Sequence, residues 1–273
     1  MAKISRGLAS RVLSALVLAP VVIVSVALGS PWFDLVLILA AGLMAREWGR
    51  MAEGGRPKHS TAIMAAIVMA GVVGITMSVD FHILLGLGLT SAVLLFLWAK
   101  QAAVVAPAWL AFGTIAIGVP CMALDWLRAD PDYGRLTIFW LFGVVWATDI
   151  GAYVAGRTIG GAKLAPRVSP NKTWAGLAGG VASAALVGFG VAVWFVQAPH
   201  PLVLAGLSAA LAVLAQLGDL GESGLKRHFG VKDSGRLIPG HGGVLDRCDG
   251  LLSTSPVVAI VYWSVGGAFF SWN

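Results

Sequence analysis

A chain of 273 residues with 58% hydrophobic and only 12% charged residues lies far from the roughly 25% charged content of soluble domains. With a mean hydropathy of +0.85, the composition excludes a soluble globular enzyme and predicts an all-α, polytopic integral membrane protein. The formal net charge of +6 is the excess expected of a surface facing anionic lipid head groups, so it is no sign of a nucleic acid partner.

Apolar stretches long enough to cross a hydrocarbon core of about 30 Å as helices run from about 12 to 30, 32 to 49, 60 to 79, 82 to 98, 105 to 127, 136 to 155, 173 to 197, 200 to 220 and 250 to 271. The first could be misread as a cleavable signal, because Lys3, Arg6 and Arg11 precede it and Ala27-Leu28-Gly29 loosely resembles a cleavage site. Nine spans explain the basic residues best. With the N-terminus inside, all of the 19 lysines and arginines except Arg128 and Arg135 fall in cytoplasmic segments, as the positive-inside rule requires. Omitting one span would send the two most basic loops to the other side. The N-terminus is therefore expected in the cytoplasm and the C-terminus outside, in a bacterial inner membrane. Cys121 and Cys248 are too far apart in expected depth to suggest a bridge.

The chain divides near residue 135. Residues 1–135 hold five spans with almost no ionisable group expected to be buried, and they read as a scaffold in which Pro20, Gly71, Gly74 and Pro120 serve packing and kinks. Residues 136–273 hold four spans, two basic loops, and Asp149, Asp219, Asp246 and Asp249 at or near membrane depth. A charge at the bilayer centre costs roughly 2.5–3.5 kcal/mol on insertion scales, so such residues usually face a cavity, a partner or an ion. The chemistry is expected in this half.

At the inner end of the eighth span, Asp219, Glu222, Ser223 and Lys226 share one helical face. Glu222 and Arg227 taken singly read as ordinary interfacial charges, whereas Asp219 closes an apolar span. Downstream, Lys232-Asp233-Ser234-Gly235 leads to Pro239-Gly240-His241-Gly242-Gly243 and then Asp246-Arg247-Cys248-Asp249. Asp246 and Asp249 are three apart and point the same way on a helix. With Asp219 they form an oxygen-donor set suited to Mg²⁺ and substrate phosphates. The glycines let backbone amides approach an anion at a helix N-terminus. The lack of a compact Cys and His set argues against zinc, and no GxxxxGK[ST] loop occurs.

The loop after the sixth span is a second basic platform, with Arg157, Lys163, Arg167 and the run Ser169-Pro170-Asn171-Lys172-Thr173 just before the seventh span. It is read as a hydroxyl, an amide and an ammonium at a helix N-terminus, an anion site.

Ser223, Leu225-Lys226-Arg227, Lys232-Asp233, Gly235, Ile238-Pro239, His241-Gly242-Gly243-Val244, Asp246-Arg247 and Asp249 together resemble the signature of the phosphatidate cytidylyltransferases, or CDP-diacylglycerol synthases. Gly218-Asp219-Leu220 and SPNKTW are also similar to that family. The chain departs from it at Gly221, Cys248 and Ala175, the last standing where an acidic residue often follows SPNKTW.

The resemblance implies transfer of the cytidylyl group of CTP to phosphatidate with release of pyrophosphate, using Mg²⁺ and a candidate second, monovalent cation such as K⁺; a homodimer is suggested by the family alone. Under it, Asp219 and Asp246 are metal ligands, with Asp249 a third ligand or an orienting group. Lys226 and Arg247 hold phosphates, while Lys232, Asp233, Ser223, Arg227 and the amides of His241, Gly242 and Gly243 belong to the nucleotide cradle. Ser169, Asn171 and Lys172 bind the lipid phosphate or close over the triphosphate. The rival readings are a CTP-dependent polyprenol or dolichol kinase, and a non-enzymatic transporter that would leave the basic, Gly-rich loops unexplained.

Overall fold

The computed structural model describes residues 6–55, 58–240, 242–267 and 270. The described residues form nine long helices and one hairpin: α1 (Arg6–Leu28), α2 (Trp32–Ala52), α3 (His59–Thr76), α4 (Phe81–Gln101), α5 (Pro107–Ala129), α6 (Gly134–Thr158), β1 (Lys163–Ala165), β2 (Ser169–Thr173), α7 (Trp174–Gly190), α8 (Pro201–His228) and α9 (Leu245–Ser264). Six helical segments are long and apolar enough to cross a membrane: α3, α4, α5, α6, α7 with its π-helical extension to Val196, and α8. In α1 the apolar stretch is Leu16–Leu28. Helix α2 carries Asp34, Arg46, Glu47 and Arg50, and α9 opens with Asp246, Arg247 and Asp249, charges that a hydrocarbon core disfavours.

Two compact units result. The first comprises Met1–Arg135 and His228–Cys248; the second comprises Leu136–Arg227 and Asp249–Asn273. In the first unit α2, α3 and α5 pack on one another, α4 packs on α3 and α5, and α1 lies against α2. Met44, Met64, Leu110, Ile117 and Leu127 form its fully buried interior. Pro107 opens α5 at a position where its missing N–H costs nothing, and Asp80 caps α4 by accepting the amides of His82 and Ile83.

This unit corrects the expectation of a scaffold with almost no buried ionisable group. Asp34, Glu47, Glu53 and Asp125 are all buried. Each is tolerated because hydrogen-bond donors reach it. Ser30 Oγ donates to Asp34 at 2.6 Å, and Thr76 Oγ1 to Asp125 at 3.2 Å. Glu53 accepts the Lys58 amide at 2.8 Å and the hydroxyls of Ser60 and Thr61, and so ties the end of α2 to the start of α3.

In the second unit, α6 and α7 touch through small residues. A Cβ at Gly179 would collide with Ala155 and with the Gly151 carbonyl, and one at Gly151 with Ser183 and the Gly179 carbonyl, so these glycines permit backbone contact. Trp140 and Ser208, both buried, are joined by an indole N–H to hydroxyl bond of 3.0 Å.

The SPNKT segment is a strand rather than the first turn of a helix. β2 pairs antiparallel with β1, Lys163 opposite Thr173 and Ala165 opposite Ser169. Pro170 disfavours the helical conformation at Ser169, and the helix starts only at Trp174, where the Thr173 hydroxyl accepts the Gly176 amide at 3.0 Å. The all-α expectation is thus qualified by one hairpin.

Helix α8 has 28 residues, about 42 Å at 1.5 Å per residue. Since about 20 residues suffice to cross the hydrocarbon core, its last turns, from Asp219 onward, extend beyond the apolar run.

Candidate active site

Asp219, Glu222 and Asp249 each bring a carboxylate oxygen within 4.8 Å of the others, the one such acidic group among the described residues. Gly218 makes the approach possible. A Cβ there would collide with Ser253 and come within 3.1 Å of the Asp249 carbonyl, so α9 can lie close to α8 only because that position has no side chain. Asp219 follows directly and Glu222 lies one turn on, both facing Asp249. The Asp249 carboxylate accepts the Gly250 amide at 2.8 Å. Asp149, from α6, is close enough to act on Asp249 electrostatically.

Two lysines offset this charge. Lys172 Nζ, from β2, lies 2.6 Å from Asp219 Oδ2 and also reaches the Gln216 carbonyl at 3.4 Å. Lys226 Nζ lies 2.9 Å from Glu222 Oε2, one turn along α8. The Ser223 hydroxyl donates to Asp219 Oδ1 at 3.3 Å. Ser169 is half-buried on β2, while Asn171 and Arg227 are exposed. Lys172 and Lys226, expected at phosphates, thus stand on the carboxylates.

The donor set fits a divalent ion. Opposite oxygens on octahedral Mg²⁺ lie about 4.2 Å apart, so carboxylates grouped within 4.8 Å need move only slightly to share one. Hard oxygen donors without Cys or His favour Mg²⁺ over zinc.

The remaining signature residues belong to the first unit and are arranged differently. Asp246, expected as a metal ligand, points its carboxylate at backbone. It accepts the Ser234 amide at 3.0 Å and the Gly243 amide at 2.8 Å, and it is buried. Glu47, from α2, accepts the Val244 amide at 3.1 Å, the Leu245 amide at 2.9 Å and the Ser234 hydroxyl at 3.3 Å. Of the His-Gly-Gly amides expected to cradle the nucleotide, that of Gly243 is met by the carboxylate of Asp246, and the next two amides, at the start of α9, by Glu47. Helix N-termini attract anions, and buried acids supply them here. Gly242 adopts φ +87° and pairs with Ile238. Lys232, Asp233 and Arg247 are exposed. His241 lies outside the described residues.

Glu222, read singly as one member of an i, i+4 pair, joins Asp219 and Asp249 in the structure, and Glu47, which the sequence reading does not single out, meets the Val244 and Leu245 amides. An acid within an expected span is a functional-site hypothesis by default, and Glu47 stands within the second expected span in the sequence Arg46-Glu47-Trp48.

Residues 9–265 match the model of the Cytidylyltransferase family. The chain belongs to the cytidylyltransferase family. Proteins named phosphatidate cytidylyltransferase are similar to it from end to end. One from Brucella suis biovar 1 (strain 1330) is 40% identical over 268 residues, covering 97% of this chain and 95% of that one. One from Pseudomonas aeruginosa is 35% identical over 269 residues, with 95% and 98% covered. One from Rickettsia felis is 32% identical over 269 residues, with 96% and 95% covered. Of the acidic cluster in this cytidylyltransferase, Asp249 belongs to the signature, with Asp219 and Glu222 just upstream of it, and the amide-bound loop lies within the signature, with Glu47 reaching it from α2.

Proposed function

We propose that the chain transfers the cytidylyl group of CTP to phosphatidate, giving CDP-diacylglycerol and pyrophosphate. Membership of the cytidylyltransferase family and full-length similarity to proteins named for this activity support it. The observation that carries the mechanism is the acidic cluster Asp219, Glu222 and Asp249, with Lys172 and Lys226 on its carboxylates.

In the reaction an oxygen of the phosphatidate phosphate attacks the α-phosphorus of CTP. The bond from the α-phosphorus to the bridging oxygen breaks, and pyrophosphate leaves on the opposite side. The attacking oxygen is already anionic near neutral pH, so no general base is needed. Such chemistry rests on positioning and charge neutralisation. Asp219, Glu222 and Asp249 would hold Mg²⁺, which when bound withdraws charge from phosphate oxygens. Lys172 and Lys226, paired with those acids, neutralise phosphate oxygens. Ser223 orients Asp219 through its hydroxyl. Lys232 and Arg247 keep the nucleotide-phosphate roles that the signature suggests. Asp246 is assigned to shaping the loop between them.

The lipid's acyl chains stay in the membrane while CTP arrives from water, so the reaction belongs at a membrane boundary. The basic-residue pattern supports nine spans, a cytoplasmic N-terminus and a site facing the cytoplasm of a bacterial inner membrane. A monovalent second cation and a homodimer rest on the resemblance alone.

Purified protein incubated with phosphatidate and CTP labelled at the α-phosphorus tests the activity. Label entering the lipid supports the reading. Release of labelled CDP with phosphate transferred to a lipid alcohol would replace it with a lipid kinase, and no reaction would favour a transporter.

A further inference from the structure

Glu47 is separated by 197 residues in sequence from the Val244 amide it accepts, and it is buried to 8% exposure in the first unit. Its two oxygens serve three donors. Oε1 takes the Val244 amide, and Oε2 takes the Leu245 amide and the Ser234 hydroxyl. It therefore holds both ends of the loop from Ser234 to Leu245 at once.

The glycines of that loop are shaped around it. A Cβ on Gly235 would collide with Glu47 Oε1 and lie 3.1 Å from the Gly243 Cα. A Cβ on Gly243 would collide with the Ser234 hydroxyl and with Glu47 Oε2. The second glycine of the His-Gly-Gly run is thus required by an internal carboxylate, with no ligand needed to explain it. Asp246 completes the arrangement by bridging the amides of Ser234 and Gly243, and on the α1 side Ser14 Oγ donates to the Pro239 carbonyl at 2.9 Å. The approach to the loop is fixed as well. The rings of His228 and Phe229 lie 5.3 and 5.6 Å from Trp109, whose carbonyl accepts the Trp48 indole N–H.

We propose that Glu47 is a positioning residue for the nucleotide: by holding Ser234, Val244 and Leu245 together, it fixes the two ends of the loop, next to which Lys232 on one side and Arg247 in the first turn of α9 on the other are presented to CTP. The inference rests on the cytidylyltransferase reading and adds to it a residue from the supposed scaffold, outside the signature. Glu47 touches no substrate. A buried carboxylate accepting two amides and a hydroxyl cannot be replaced by an amide of the same length, because the NH₂ group would confront an N–H donor.

The test is the kinetics of purified Glu47→Gln in detergent, with Glu53→Gln as the comparison. Glu53 is another buried acid of the same unit, whose oxygens accept the Lys58 amide and the hydroxyls of Ser60 and Thr61 at the start of α3. Rates are normalised to the folded fraction. Glu47→Gln is expected to raise KM for CTP and lower kcat, so that kcat/KM for CTP falls about tenfold or more, the consequence of losing about 1.4 kcal/mol of charge-assisted hydrogen bonding. KM for phosphatidate should stay within about twofold, since loss of loop placement does not weaken lipid binding. Glu53→Gln should lower the melting temperature with both KM values unchanged. Ser234→Ala, which removes only one donor to Glu47, is the milder variant should Glu47→Gln fold poorly, and about a threefold rise in KM for CTP is expected from it. Melting-temperature loss with unchanged KM for CTP in the folded variants, or equal changes in both KM values, would overturn the proposal. An inactive wild-type protein would instead overturn the cytidylyltransferase reading on which it rests.

Discussion

Lys172 Nζ sits 2.6 Å from Asp219 Oδ2, so a lysine of the β-hairpin occupies a carboxylate oxygen that a divalent ion would use. The ammonium offsets part of the charge collected by Asp219, Glu222 and Asp249, and a metal must compete with it or displace it toward phosphate. Lys172→Met is therefore expected to tighten Mg²⁺ or Mn²⁺ binding by about threefold to tenfold, the range for a partly exposed ion pair of about 1 kcal/mol, while turnover falls. Calorimetric titration of Mn²⁺ beside the rate assay checks this. Unchanged metal affinity would mean that the lysine and the ion do not compete.

Glu222 separates two accounts of the same helix. As an ordinary i, i+4 partner of Lys226 it would contribute only about 0.3–0.5 kcal/mol, and Glu222→Gln would hardly alter the rate. As a member of the acidic cluster its loss should cost about 100-fold in turnover, as should Asp219→Asn and Asp249→Asn. Rates measured with the melting temperature held within a few degrees of wild type decide between them.

The absent side chain of Gly218 lets α9 approach α8. Gly218→Ala would place a Cβ against Ser253, an overpacking of about 1–3 kcal/mol, and would move Asp249 away from Asp219. Both thermal stability and rate should fall. Ser253→Gly in the same chain should restore most of each, measured by melting in detergent and by turnover; no recovery in the double variant would place the defect elsewhere.

Thr173 begins α7 by accepting the Gly176 amide, and it lies next to Lys172. Thr173→Ala should lose about 1 kcal/mol of capping, seen as a lower melting temperature. Thr173→Ser should retain most of the stability.

Much of this was legible in the sequence because hydropathy and helical spacing are local. The Asp219, Glu222 and Asp249 cluster draws two of its members from positions expected to bind a metal, and the helix containing Asp219 was readable from the apolar run that it ends. Less legible were contacts that depend on distant chain segments. Glu47 meets Val244 and Leu245 from nearly the other end of the protein, and no local periodicity encodes that pairing. Asp246 and Asp249 lie three apart on one helix, and spacing alone gave them one role. In the structure the carboxylate of Asp246 accepts the Ser234 and Gly243 amides. The SPNKT segment was read by its polar groups and its closeness to a span, although the proline within it and the pairing partner at Lys163–Ala165 favour a strand.

The central claim is that Asp219, Glu222 and Asp249 form the metal site of a cytidylyltransferase. Its most direct test is the Mg²⁺ dependence of label transfer from α-labelled CTP to phosphatidate, compared between wild type and Glu222→Gln. The account predicts Mg²⁺-dependent labelling of the lipid by wild type, and a half-saturating Mg²⁺ concentration raised about tenfold or more in the variant. Identical Mg²⁺ curves for the two proteins would contradict it.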